Sequence, residues 1–217
     1  CIFMYHHQNI FLKFLVCTLL IGCSGSDVKP ASPTQKKNIP MFVERAEESG
    51  LVFQHHSGAS GQYYLPESLG AGCGLFDADG DGDLDALFVR GHNLEASADA
   101  ESQNAFFRNR SEGQFIDDTT NSGLTDLGYS YGVTCGDVDA DGDIDLYITN
   151  FGKDCLYYND GTGRFTKASE TASAALDDFS VSSCFVDYDR DGDLDLFVTR
   201  YLDWSVDIGG GCFNLRG

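Results

Sequence analysis

An aspartate-rich pattern of nine residues occurs three times in this chain and constrains its fold more than any other feature. Each copy has aspartate at positions 1, 3, 5, 7 and 9 and glycine at position 6, and the copies span residues 77–85, 137–145 and 187–195. Carboxylates at positions 1, 3, 5 and 9 can converge on one ion, the glycine allows a sharp turn, and the carbonyl of position 7 can point inward. Such an all-oxygen cage has the ligand number that Ca²⁺ prefers, whereas Mg²⁺ usually keeps more of its waters.

The three loops predict about three Ca²⁺ ions. A single stretch rich in Asp and Gly is usually a solvated turn, but three copies in one register favour cation loops. Five aspartates within nine residues repel one another, so we expect each loop to be loose without a cation. The candidate metal ligands are Asp77, Asp79, Asp81, Asp83, Asp85, Asp137, Asp139, Asp141, Asp143, Asp145, Asp187, Asp189, Asp191, Asp193 and Asp195.

The residues that flank the loops decide which kind of calcium loop this is. An EF-hand needs a glutamate at position 12 and a helix on either side, but position 12 here is Phe88, Ile148 or Val198. Each loop is followed by a short run of apolar, β-branched and aromatic residues, which is typical of a buried strand. Similar short runs precede the second and third loops. We therefore predict that each cation closes a β-hairpin.

The sequence around the loops repeats as well. Residues 106–109 match 156–159, and the stretch Asn159–Gly163 is a good hairpin-turn signal. The first two loops are ten residues further apart than the last two, and we interpret Gly91–Gln103 as the insertion responsible. Each repeat is predicted to contain a strand, the loop, a strand, a connection, a strand, a turn and a last strand. Four short antiparallel strands that recur about every fifty residues predict an all-β fold, a β-propeller with four-stranded blades.

One further segment extends the repeat pattern towards the amino terminus. Phe42–Leu51 is similar to Phe115–Leu124, so we expect it to be the last strand of a repeat whose first three strands are missing. In a closed propeller such a strand often completes the final blade. The sequence therefore contains about three to three and a half blades.

These repeats resemble the FG-GAP/VCBS repeats of integrin-α-like propellers. The stretch Tyr63–Gly70 before the first loop and Arg200–Trp204 after the third resemble the CRTAC1-like (ASPIC/UnbV) proteins. The resemblance spans Phe42–Trp204 and implies a calcium-binding, usually non-catalytic propeller that is secreted or attached to the cell envelope. It also implies further blades and a carboxy-terminal domain. Because propellers close with four to eight blades, we expect this chain to be a fragment, an incomplete propeller that forms an open arc.

The segment 1–23 is predicted to direct export as a signal peptide. Met4 is the expected start, and the apolar run after Lys13 is too short to span a membrane but fits a signal-peptide core. Leu20–Cys23 resembles a bacterial lipobox, in which Cys23 would carry the lipid; an ordinary signal peptide is the alternative. Residues 24–40 indicate a flexible tether, and residues 41–217 the partial propeller. We expect the protein to be lipid-anchored in the cell envelope or extracellular.

Charge and cysteine content limit the partners. The net charge of −20, with 34 acidic and 14 basic residues, disfavours nucleic acid and leaves a lipid anchor as the expected membrane contact. Five of the eight cysteines remain available if Cys23 is lipidated, so an odd one is unpaired or has a partner elsewhere. Cys73, Cys135 and Cys184 precede the three loops, and we interpret them as equivalent inner-strand residues that pack as small hydrophobes.

Few residues suggest catalysis. His55 and His56 with Glu67 could serve as acid and base or as zinc ligands, but a strand end beside a polar turn explains the two histidines as well. No nucleophile, phosphate-loop or dinucleotide motif occurs. Trp204, the single tryptophan, is either a core residue or an aromatic platform for a sugar or a partner.

Two functions follow, from different classes. The first is a binding or adhesion module for a protein or polysaccharide, with structural Ca²⁺ in each blade. By resemblance to the integrin type, the connections Arg90–Gln103, Asn150–Asp154 and Arg200 onward would contact the ligand. The second is a propeller-scaffold enzyme, a polysaccharide lyase or hydrolase whose active site would lie in further blades. We expect no enzyme activity from the residues of this chain.

Overall fold

A computed structural model describes residues 42–98, 102–169 and 176–205. By its contacts the chain divides into Cys1–Val43 and Glu44–Gly217, and every strand described below belongs to the second unit. The predicted signal peptide, Cys23 and the tether lie outside the described residues. None of the described helices has the length and apolar character needed to cross a membrane.

The first repeat forms one antiparallel sheet. Its strands are β1 (Cys73–Phe76), β2 (Asp85–Phe88), β3 (Ala105–Asn109) and β4 (Phe115–Asp117), and they lie side by side in that order. β1 and β2 are joined by the first aspartate loop, with Phe76 opposite Asp85. The loop therefore closes a hairpin, as its flanking residues predict, and the four-stranded order is that of a propeller blade.

The second repeat has the same strand plan. It comprises β5 (Tyr129–Gly136), β6 (Asp145–Lys153), β7 (Cys155–Asn159) and β8 (Phe165–Lys167), each antiparallel to the next. The third loop joins β9 (Asp177–Val186) to β10 (Asp195–Arg200). The predicted all-β fold is thus confirmed, and the antiparallel strands described here correspond to an incomplete propeller.

β6 departs from the predicted pattern of separate blades. Its far end pairs with the start of β9, with Phe151 opposite Phe179, so the second and third repeats share one sheet. Asn150–Asp154 is consequently the end of β6 and a tight turn into β7, and it does not form a free connection. The Asp154 carboxylate accepts hydrogen bonds from the Asn150 amide (2.7 Å) and the Tyr147 hydroxyl (2.9 Å). Because Asn150 and Asp154 are buried, the prediction that this segment is an open connection is wrong.

The main core lies between the first and second sheets. It combines Phe76, Leu87 and Phe106 of the first repeat with Leu146 and Tyr157 of the second, all of them buried. Ring pairs such as Phe106–Phe165, with centroids 5.9 Å apart, span the two repeats. Successive repeats therefore bury each other's apolar faces, which makes the stability of each depend on its neighbour.

A tight glycine contact joins the end of the first repeat to the second. The short helix α1 (Thr119–Ser122) ends at Gly123, which has a φ of 81°. A Cβ at Gly123 would lie 2.2 Å from the carbonyl oxygen of Phe165, and one at Gly50 would lie 2.4 Å from that of Phe115. The same contact thus recurs one repeat apart, in agreement with the similarity of Phe42–Leu51 to Phe115–Leu124.

The strand predicted within Phe42–Leu51 does not form. Residues 42–45 have no regular structure and residues 46–50 are turns. No described strand forms a ladder with this segment, although its Ser49 carbonyl accepts from the Phe115 amide of β4 over 2.8 Å. The similarity to Phe115–Leu124 therefore extends to the glycine contact, but the predicted strand is wrong.

We expect Gly123→Ala to lower the free energy of unfolding by about 3 kcal/mol, because it combines left-handed backbone strain with a backbone overlap. Gly113→Ala is the matched control, since Gly113 also has positive φ (73°) but open space where a Cβ would stand. The control should cost only the strain, about 1 kcal/mol. Urea denaturation of both variants measures the difference, and equal losses would show that the Phe165 contact does not constrain position 123.

Candidate metal centres

Three aspartates of each loop bring their carboxylates together. In every loop one oxygen from each of positions 1, 3 and 9 lies within 4.8 Å of the other two. The groups are Asp77, Asp79 and Asp85; Asp137, Asp139 and Asp145; and Asp187, Asp189 and Asp195. The remaining candidates at positions 5 and 7 are not part of these groups.

The loop backbone explains why the position-5 carboxylate stays apart from the other three. The position-6 amide donates to the position-1 carboxylate, over 2.9 Å from Gly82 to Asp77 and 3.0 Å from Gly142 to Asp137. The position-5 carboxylate in turn accepts from the position-7 amide, as in the 2.9 Å bond from Asp83 to Asp81. Position 6 needs positive φ, 91° at Gly82 and 100° at Gly142, which is why glycine stands there. Position 5 therefore serves the turn of its own loop.

Position 9 is the most buried part of each of the first two sites. Asp85 and Asp145 are 1% and 0% exposed. One carboxylate oxygen of each accepts from the position-2 amide, over 3.0 Å from Ala78 or Val138. Burial raises the pKa of Asp85 and of Asp145, and the backbone hydrogen bonds offset part of this rise. Each of these aspartates thus fixes the start of its loop.

The other oxygen of position 9 ties the loop to the third strand of the blade. The Asn109 amide donates to Asp85 over 2.7 Å, and the Asn159 amide donates to Asp145 over 2.8 Å. The Asn159 side chain also donates to the carbonyl of Ile144 in its own loop (3.1 Å) and to that of Ala78 in the preceding loop (2.9 Å). Sequence reasoning missed these asparagines as site residues, although their alignment at the end of the matching segments 106–109 and 156–159 was a usable signal.

The donor set fits a hard cation. One oxygen each of Asp77, Asp79 and Asp187 is buried and has no hydrogen-bond partner, and such acceptors need either a donor or a metal ion. Around Asp143, lost hydration and the charges of Asp141, Asp137 and other neighbours raise the pKa. Clustered carboxylate oxygens without donors are the ligands that Ca²⁺ takes in proteins. In each loop, positions 1, 3 and 9 would hold the ion.

The third loop differs from the other two in its surroundings. Of its three converging aspartates, Asp189 and Asp195 are exposed, and Asp195 accepts from the Tyr188 amide over 2.9 Å. No asparagine amide donates to Asp195 among the described residues, whereas the first two loops each have one. The third site thus shares the loop geometry but lacks the burial.

The histidine candidates do not assemble with Glu67. The Glu67 carboxylate accepts from both the amide (2.9 Å) and the hydroxyl (2.6 Å) of Ser60. His55, His56 and His92 line one pocket, and burial, His56 and Arg90 lower the pKa of His55. Among the described residues, the ring nitrogens of these histidines do not form a group of three ligand atoms within 4.8 Å of one another. Glu67 therefore positions the Ser60 turn.

The cysteines before the loops are not equivalent. Cys73, Cys135 and Cys184 pair with Phe88, Leu146 and Phe197, which occupy three different positions after their loops. Cys135 packs against the main core, whereas Cys73 and Cys184 are exposed. Burial raises the pKa of the Cys135 thiol to about 12. The prediction that these cysteines pack as small hydrophobes is therefore confirmed for Cys135 and wrong for Cys73 and Cys184.

Trp204 is partly buried against an aromatic cluster. Its ring lies 5.8 Å from that of Tyr64 and 5.4 Å from that of Phe151, between centroids. These contacts favour the core interpretation over an open platform for a sugar.

The comparison with protein families agrees with this geometry. The model of the FG-GAP-like repeat matches residues 77–148 and again 137–198, so the two matches together span more than half of the 217 residues. Each match begins at position 1 of one loop and ends in the strand after the next loop. No curated protein matches the chain. On the repeated loop, the strand order and these two matches, the chain belongs to the FG-GAP-like repeat family.

Proposed function

We propose that this chain is part of an exported calcium-binding β-propeller that acts as a binding or adhesion module, with one structural Ca²⁺ per blade. The observation that carries the proposal is the convergence of three aspartate oxygens within 4.8 Å in every loop. FG-GAP-like repeats are typical of binding modules, which supports the same function.

The position of the loops supports a structural role for the ion. Each loop joins the first two strands of a blade, and Asp85 and Asp145 also accept from an amide of the third strand. An ion held by positions 1, 3 and 9 would therefore tie three strands together. It would also neutralise carboxylates that otherwise repel one another. The ion in this proposal sets the blade geometry and does not touch the partner.

The partner surface is proposed on two connections. Asn93 and Glu95–Ser97 are exposed within Arg90–Gln103, and Tyr201 and Leu202, which follow β10, are 50% and 40% exposed. Connections of this kind carry function because they lie on the surface of a rigid scaffold. We propose a protein or polysaccharide partner, since the net charge of −20 disfavours nucleic acid.

The proposed location is the cell envelope, with a lipid on Cys23, or the outside of the cell. This rests on the sequence of residues 1–23 alone. The CRTAC1-like membership rests likewise on the two segments that flank the first and third loops. The alternative function is that of an enzyme, a lyase or hydrolase. Among the described residues, no cluster of convergent polar groups favours this alternative.

Calorimetric titration of chelator-stripped protein with CaCl₂ tests the proposal. We expect uptake near three equivalents, reduced by about one equivalent in Asp137→Asn. Asp117→Asn is the matched control, because Asp117 lies outside the loops and its acceptor oxygen to the Thr119 amide is kept in asparagine. No uptake of calcium would overturn the proposal. A screen of the protein against polysaccharides then separates binding without turnover from catalysis, and turnover would contradict the binding-module assignment.

A further inference from the structure

Arg108 connects the first aspartate loop to the second repeat. It lies in β3 and its side chain is only 9% exposed. The guanidinium donates to the Asp79 carboxylate of the loop and, over 3.0 Å, to Asp118. It also donates to the carbonyl of Thr162 over 3.0 Å, in the turn between β7 and β8. One buried cation is thus shared by a candidate metal ligand and the neighbouring blade.

The second repeat has no charge at the matching position. Asn109 and Asn159 occupy equivalent places, each donating its amide to the position-9 aspartate. The residue before Asn159 is Tyr158, where the first repeat has Arg108. The first and second loops have the same aspartates and the same backbone turn, so this arginine is a specific difference between them.

The two carboxylate oxygens of Asp79 have different surroundings. Its Oδ2 binds Arg108, while its Oδ1 is buried without a hydrogen-bond partner. The guanidinium also donates to Asp118 over 3.0 Å, so the arginine lies between two carboxylates, Asp79 and Asp118. An ion in the first loop would therefore sit close to a guanidinium that always carries its charge.

Two effects of Arg108 on cation binding oppose each other. It orients Asp79, which favours binding, and its positive charge repels a cation, which disfavours binding. Orientation saves the rotamer entropy of one short side chain, a small term. Repulsion between a single and a double charge across a few ångströms of partly buried protein is larger. The charge effect therefore dominates.

We propose that Arg108 is a built-in counter-ion that keeps the first loop closed without calcium and makes it bind Ca²⁺ more weakly than the second loop. This inference rests on the proposed function, since it requires the loops to take up calcium. Because linkage is reciprocal, calcium in the first loop also weakens the hold of Arg108 on Asp79 and on the Thr162 turn. The sites of successive blades then fill at different calcium concentrations.

The position-6 glycines allow each loop to be followed separately in one chain. The amides of Gly82, Gly142 and Gly192 each belong to one loop and donate to its position-1 aspartate. We would record their ¹⁵N–¹H resonances at free calcium concentrations set by a chelator buffer. In the unaltered protein we expect Gly142 to reach half-saturation at a lower calcium concentration than Gly82.

The decisive variant is Arg108→Met. We expect the Gly82 transition to move to about tenfold lower free calcium, while that of Gly142 stays in place. Arg108→Lys keeps the charge and should return the Gly82 transition towards its original position. Arg164→Met is the matched control, because Arg164 also bridges the repeats, through the carbonyl of Asn121, without contacting a loop carboxylate; it should leave Gly82 unmoved.

The inference would be overturned if the Gly82 transition in Arg108→Met stayed in place or moved to higher calcium. In that case, calcium responses of Gly142 and Gly192 would still leave the proposed function intact. No response of any of the three amides in the unaltered protein would instead overturn the proposed function. If Arg108→Met does not fold, Asp118→Asn decides the matter. This variant removes one negative charge beside Arg108, so the arginine should repel calcium more strongly and the Gly82 transition should move to higher calcium. An unmoved transition would contradict the counter-ion role.

Discussion

Removing calcium with EDTA is expected to lower the melting temperature of this protein by roughly 15–30 °C at a calcium concentration a hundred times the Kd. Each site that binds only the folded state adds about 2.7 kcal/mol under that condition. One kcal/mol shifts the melting temperature of a chain of this size by about 2–4 °C, and the three carboxylate groups act together. Differential scanning calorimetry with and without the chelator measures the shift.

Two controls make the calcium experiment specific. Excess Mg²⁺ should restore little of the lost stability, because it keeps its waters in sites of this kind. The variant Asp137→Asn should show a smaller shift than the unaltered chain, since one site is impaired. An unchanged melting temperature in EDTA would rule out a structural role for the ion.

Asp145→Ala is expected to lower the free energy of unfolding by about 2–6 kcal/mol even in EDTA. The substitution leaves the partly buried amide of Val138 and the buried amide of Asn159 without their acceptor, and each donor left unsatisfied away from water costs about 1–3 kcal/mol. Urea denaturation in the presence of EDTA separates this loss from the loss of a metal ligand.

Asp143→Ala is the matched control for Asp145→Ala within the same loop. Lost hydration and the charges of Asp141, Asp137 and other acidic neighbours raise the pKa of Asp143, so the removal of its carboxylate relieves repulsion. We expect no loss of stability in EDTA from this variant. If both variants destabilised the protein equally, the position-9 contacts would not be the cause.

The sequence predicted the local parts of this fold well. Each loop is followed by a run of strand residues and the second and third are also preceded by one, so the hairpin closed by the third loop, with Val186 opposite Asp195, follows from that pattern. Contacts between repeats were not predictable in the same way. The pairing of Phe151 with Phe179 depends on how far β6 extends, and the alternation of apolar and polar residues does not predict the length of this strand. Asn150 and Asp154 are polar and looked like a surface connection, but hydrogen bonds to each other and to neighbours such as Tyr147 let them be buried.

The candidate site was predicted at the level of the loop and less well at the level of each side chain. A pattern with aspartate at every second position does not predict which carboxylates point inward. The structure groups positions 1, 3 and 9, because Asp81 and its equivalents accept from an amide of their own turn. The asparagines that hold position 9 come from a different strand, so only the fold brings Asn159 to Asp145.

The Asn159 side chain, which bonds the carbonyls of Ile144 and Ala78, bears on how such an array can lengthen. One amide group secures its own loop and at the same time reaches back to the loop before it. A duplicated repeat of this kind brings along the group that aligns it with its predecessor. An array of these repeats can therefore lengthen by tandem duplication without new contact residues between neighbouring repeats.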